Sequence, residues 1–136
     1  MLDNIAIRIY RYSNMEYNCA EIILLAGSER YIINLKPQTL KALGPFGGGM
    51  QIESVCGALT GSISMIGLLF INEYQHESDT VEVMVNSFLK SFEEEMGTII
   101  CSELRDRYHD ETIGCEKIIQ AAAENLEKTI DQYKSF

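Results

Sequence analysis

Phe46-Gly47-Gly48-Gly49-Met50-Gln51-Ile52-Glu53-Ser54-Val55-Cys56-Gly57-Ala58-Leu59-Thr60-Gly61-Ser62-Ile63-Ser64 joins a glycine-rich turn to a helix whose start carries a cysteine. Beyond Ser64 the chain stays apolar (Met65, Ile66, Leu68, Leu69, Phe70, Ile71) on nearly every side of a helix, and such a helix belongs at the centre of a fold. The reading places this central helix over 55–72. Gly57, Gly61 and Ser64 fall on one face of it, small enough for another backbone or a ligand to come very close. The same face would suit a symmetric homodimer contact. Gly47, Gly48 and Gly49 open backbone conformations closed to other residues. Ser54 reads as the N-cap, which puts Cys56 at about the second helical position. Unpaired N–H groups and the helix dipole favour negative charge there, so the thiol is expected to have a lowered pKa. The competing reading is tight packing around a buried, inert cysteine.

Outward from this helix the pattern stays helical. Ile5, Ile9 and Tyr12 mark a first helix over 3–12. Asn18 with Glu21 three residues on is a capping box, opening a second helix to about Tyr31 with Gly27 as a weak point. Pro37 starts a short third helix that Gly44-Pro45 ends. A polar loop with His76 follows the central helix, and Ser78 or Asp79 caps a fifth helix that Gly97 closes after Met96. A sixth runs from Thr98 through Arg105. The last runs from about Ile113 to Lys134, with Glu127 and Asp131 pointing outward. Ile22–Leu25 and Tyr31–Ile33 could suggest strand, but the first sits inside a capped helix and the second is short. The expectation is an all-α fold, one compact bundle of six to seven helices around a central apolar helix, with residues 1–136 as a single domain.

The net charge of −9 is uneven. Residues 1–68 hold five acids and five bases, and residues 69–136 hold fifteen acids and six bases. An acidic chain without a basic stripe is a poor partner for nucleic acid or for an anionic membrane surface. The N-terminus carries Asp3 and lacks a basic region before an apolar core, so it does not read as a signal peptide. The apolar runs are too short to span a bilayer. A cytoplasmic setting is expected, where four cysteines suggest chemistry or metal more than static disulfides.

Cys19, Cys56, Cys101 and Cys115 are separated by 36, 44 and 13 residues, so no Cys-x-x-Cys pair exists. All four fall at or near the start of a predicted helix, where the dipole stabilises thiolate. His109 could donate a proton to a leaving thiolate or be a further ligand, against the plainer reading of a solvated loop histidine. Glu53 reads as a first-turn acid or as a base for Cys56. Met50 and Met65 could line a cofactor pocket or fill the core. The seven tyrosines form no stacking platform.

On Asn18-Cys19-Ala20-Glu21, Phe46-Gly47-Gly48-Gly49-Met50, Cys56-Gly57-Ala58-Leu59-Thr60-Gly61, Gly97 ahead of Cys101-Ser102-Glu103-Leu104, and Cys115 ahead of Ala121-Ala122-Ala123-Glu124, the chain resembles the bacterial and archaeal family of redox-active proteins named C_GCAxxG_C_C. The resemblance implies a small helical domain with four functional cysteines that are redox-active or bind a cofactor. Members lie near transporter and oxidoreductase genes, which implies an electron-transfer or oxidoreductase partner protein. Within that reading Cys19, Cys56, Cys101 and Cys115 either ligate an iron–sulfur cluster or form two dithiol couples. Cys19 with Cys56 and Cys101 with Cys115 is one of the three connectivities that four cysteines allow. Gly47, Gly48, Gly49, Gly57 and Gly61 would present backbone N–H groups or a close approach to the cofactor. The alternatives are a zinc domain with the same four ligands and a non-catalytic helical module with buried cysteines.

Overall fold

A computed structural model describes residues 1–13, 16–73 and 79–134; His76 and Ser78 lie outside them. The described residues form seven α-helices: α1 (Leu2–Tyr12), α2 (Cys19–Arg30), α3 (Pro37–Leu43), α4 (Gly57–Phe70), α5 (Thr80–Met96), α6 (Cys101–Tyr108) and α7 (Glu116–Tyr133). No strand occurs among these residues, only two isolated bridges, Val55 with Ile100 and Asp110 with Gly114. The fold is all-α. No helix among them is long and apolar enough to cross a membrane.

Local chemistry sets most helix starts and stops. The Asn18 side chain accepts from the Glu21 N–H, and the Glu21 carboxylate accepts from the Asn18 N–H, both at 3.0 Å. This closes the expected box and satisfies two orphan donors of α2. Pro37 sits at the first turn of α3, and Gly44–Phe46 is a single tight turn after it. Gly97 ends α5 with φ +88, a conformation glycine adopts without a Cβ penalty.

Three starts differ from the sequence expectation. Ser54 does not cap α4; Cys56 itself is the N-cap and the helix begins at Gly57. Helix α6 begins at Cys101, not Thr98, because residues before it are extended and pair with the segment before α4. The Cys56 N–H donates to the Ile99 carbonyl (2.9 Å) and the Cys101 N–H to the Ser54 carbonyl (2.6 Å). These long-range bonds outcompete one more helical turn. Helix α7 begins at Glu116, since Asp110 Oδ1 accepts from the N–H groups of Thr112 and Ile113 and holds a turn there.

Helix α4 packs on α2, α5 and α7, while α1 covers α2 and α7. Its first turns are buried, with Leu59, Met65 and Ile66 at 0% exposure. The C-terminal turn is not buried all round as the pattern suggested, since Leu68 is 42% exposed. Apolar residues on every side of a helix do not say which turns have neighbours. Glu127 also departs from the outward reading: it accepts from the Leu2 N–H (3.1 Å) and from Arg30 Nε (2.8 Å), tying α1 and α2 to α7.

The small face of α4 is occupied by α2 within the chain. A Cβ at Gly61 would stand 2.4 Å from the Ala20 carbonyl oxygen, and one at Gly57 would stand 3.3 Å from the Ala20 nitrogen. This face therefore gives no support for a dimer. Gly27 is no weak point either, because Met65 folds over it, 2.6 Å from where its Cβ would be.

The same substitution should have opposite signs one and a half turns apart on α4. Gly61→Ala drives a methyl into the α2 backbone and should cost about 1–3 kcal/mol. At Gly67 a Cβ meets only Ile71 Cδ1 at 3.7 Å, so Gly67→Ala should gain about 0.5–1 kcal/mol from helix propensity. Urea unfolding of both variants checks the pair, and a stable Gly61→Ala would show that the contact is not tight.

Candidate functional site

Four helix starts converge on one point. Cys19 is the first residue of α2, Cys56 the N-cap of α4, Cys101 the first residue of α6 and Cys115 the N-cap of α7. All four line a single cavity of about 130 Å³ together with Gly48, Gly57, Leu104, Arg105 and Ile118. Cys19 feels the charge of the other three, Cys56 that of Cys101 and Cys115, and Cys101 that of Cys115. Cys56 and Cys101 are buried, whereas Cys19 and Cys115 are partly exposed, and all four are free thiols.

The glycine turn reaches this point through an unusual backbone. Gly48 (φ +61), Gly49 (φ +64), Met50 (φ +59) and Gln51 (φ +66) run left-handed, and Glu53 follows with φ +56. Left-handed torsions cost roughly 1–2 kcal/mol per non-glycine residue. The turn is held by the Ser54 N–H donating to the Gly49 carbonyl (2.8 Å) and Gln51 Nε2 donating to the Gly47 carbonyl (3.2 Å). It delivers Ser54 to the start of α6.

The five glycines divide. Gly48 and Gly57 line the cavity, and Gly48 has nothing within 4 Å of where a Cβ would be. Gly47 is pressed on the Asn18 side chain, Gly49 on Ser54 and Cys101 Cβ, and Gly61 on Ala20. These three serve close packing and do not line the cavity.

The electrostatics correct the dipole expectation. Burial pushes the Cys56 thiol up to about 11, although the N–H groups of Ala58 and Leu59 at the start of α4 pull the other way. Burial also raises Cys101, against the pull of Arg105. The close approach of Cys19 and Cys115, with burial added, raises Cys19 well above the ordinary thiol value. The same approach lowers Cys115 to about 6 despite partial burial, helped by His109 and Arg105. Only Cys115 is lowered, so Cys19 and Cys115 act as one pair sharing a proton.

His109 faces the pair electrostatically from the turn after α6. Glu53 is not in the first turn of α4; it lies on the left-handed segment, 3.7 Å from Arg105. Met65 is core and Met50 is outside the cavity. Two residues escape a sequence reading. Arg105, which lines the cavity, stands four residues after Cys101, a spacing that shares a helix face. Tyr10 accepts from the Cys115 N–H (3.0 Å) and lies against Gly114. No local signal could mark Tyr10, because the contact spans α1 to α7.

Four thiols lining one cavity are the donor type that an iron–sulfur cluster takes. They do not fit a lone zinc ion, whose ligands must meet on one atom at about 2.3 Å. Among the described residues no three of His, Cys, Asp and Glu are so gathered.

The chain matches the family described as "Putative redox-active protein (C_GCAxxG_C_C)" over residues 17–129, and it belongs to that family. The match spans all four cysteines. No curated protein and no solved structure matches the chain.

Alkylation by iodoacetamide, mapped by peptide mass spectrometry across pH, should resolve the thiols. Cys115 should titrate with a midpoint of about 6, gaining reactivity as pH rises through it. Cys56, pushed up to about 11, should react only at alkaline pH. Cys19→Ala removes the neighbouring thiol that lowers Cys115 and should move the Cys115 midpoint upward. An unmoved midpoint would show that the pair is not coupled.

Proposed function

We propose that this member of the C_GCAxxG_C_C family is a thiol–disulfide redox protein whose working couple is Cys19 and Cys115, serving an oxidoreductase partner in a reducing, cytoplasmic setting. The observation that supports this reading is that Cys19 and Cys115, at the starts of α2 and α7, line one cavity close enough to couple, with Cys115 lowered to about 6. A thiolate at neutral pH is the nucleophile such exchange needs.

The oxidant is a disulfide on a partner molecule. The Cys115 thiolate attacks one of its sulfurs, and the other sulfur leaves as a thiolate. Cys19 then attacks the Cys115 sulfur and releases the first partner sulfur. The Cys19 proton goes to one departing thiolate, and solvent supplies a proton to the other. The chain ends as a Cys19–Cys115 disulfide, two electrons poorer, and the partner ends as two thiols. In the reverse direction Cys115 is the better leaving group, because a low-pKa thiol departs faster. Tyr10 supports this couple by holding the Cys115 backbone N–H. Cys56 and Cys101, raised by burial, stay protonated at neutral pH in this reading.

A second reading rests on the convergence of all four thiols on one cavity. In it Cys19, Cys56, Cys101 and Cys115 would hold an iron–sulfur cluster, which supplies one-electron transfer when bound.

Protein purified without oxygen separates the two. The dithiol reading expects colourless protein that loses two thiols per chain on mild oxidation, with a Cys19–Cys115 linked peptide after digestion. Iron and acid-labile sulfide in stoichiometric amount would sink it in favour of the cluster.

A further inference from the structure

The thiol cavity adjoins a much larger groove of about 940 Å³. Cys19 and Gly48 are walls of both spaces. The groove also runs along Gly114 and Glu116, the residues on either side of Cys115. A second opening, about 420 Å³ beside Glu53 and His109, shares only Arg105 with the thiol cavity and touches no cysteine. Of these two spaces only the first groove touches the couple, at Cys19. The inner cavity of about 130 Å³ admits little beyond the sulfurs, so the rest of the substrate must lie outside, against the groove walls.

Those walls are acidic. Among the described residues Glu16, Glu21, Asp110, Glu111 and Glu116 face Arg11, which gives five carboxylates against one guanidinium. Arg11 is itself engaged by Glu116 at 3.0 and 2.6 Å, so it has little left for a substrate anion. Glu16 and Glu111 are exposed on the rim. A groove of one sign concentrates ligands of the other and repels like charge.

We propose that this groove is the docking surface for a polypeptide segment whose disulfide is flanked by lysine or arginine, laid so that its sulfurs pass between Cys19 and Gly48. The inference rests on the dithiol reading of the couple. Its volume favours a peptide segment over a small disulfide, because several residues beyond the cystine find walls there.

The test measures the rate at which the reduced chain exchanges with cystamine (cationic), bis(2-hydroxyethyl) disulfide (neutral) and dithiodiglycolate (anionic). Cystamine should exceed dithiodiglycolate by about 10-fold or more at low ionic strength. The ratio should shrink as salt screens the groove. Glu16→Lys with Glu111→Lys should collapse it, and Glu16→Gln with Glu111→Gln should lower it part-way without reversing charge. Glu93→Lys with Glu94→Lys, an equal change on the exposed side of α5 away from the groove, should leave it nearly unchanged. Equal ratios in the two lysine variants would assign the effect to the whole-molecule charge and overturn the docking site. A disulfide peptide with flanking lysines should outpace cystamine; equal rates would make the occupant a small cationic disulfide. Failure of the wild-type chain to exchange even with the neutral probe would remove the dithiol reading and this proposal together, whereas neutral exchange without charge preference removes this proposal alone.

Discussion

The arrangement depends on one backbone contact. Gly61 on α4 sits so close to Ala20 on α2 that a single methyl would stand 2.4 Å from the Ala20 carbonyl oxygen. That approach brings the start of α2 beside the start of α4, and with it Cys19 toward Cys56. Gly57 extends the contact to the Phe46 carbonyl and Gly47 Cα. The glycine turn then folds over the Asn18 cap, and Asn18 Nδ2 donates to the Gly44 carbonyl (2.8 Å). Two of the four thiols are thereby placed by residues that lack a side chain.

The other two arrive by different means. Cys101 is tied to Ser54 by its own N–H, at the end of a segment whose left-handed torsions oppose the ordinary preference of Met50, Gln51 and Glu53. Strain of this kind persists where surrounding bonds over-determine it, and it concentrates at functional sites. Here its local product is the junction of the α4 and α6 starts. Cys115 is set by Tyr10 and by the tight turn between Asp110 and Gly114, whose N–H and carbonyl groups bond each other at 2.6 and 3.0 Å.

Once gathered, the thiols diverge chemically. A helix start offers each sulfur unpaired N–H groups and a favourable dipole, but withdrawal from water opposes the charged form more strongly at Cys56 and Cys101. The approach of Cys19 and Cys115 couples their titrations, raising one thiol and lowering the other although both sit at helix starts.

The all-α class was legible from the chain alone, since the apolar spacing, the Asn18–Glu21 box, Pro37 and Gly97 are local signals and each acts within one or two turns. The four cysteines at helix starts, and the close-packing face of Gly57 and Gly61, could be read the same way. What the face packs against, the later starts of α4, α6 and α7, and the inward turn of Glu127 could not, because each depends on a partner distant in sequence. The pairing of Cys19 with Cys115 belongs to that second group. Ninety-five residues separate them, and no spacing rule reaches so far. Tertiary structure also reversed the expected pKa of three thiols, because sequence position reveals the dipole a sulfur sits on but not how much water the fold removes from it.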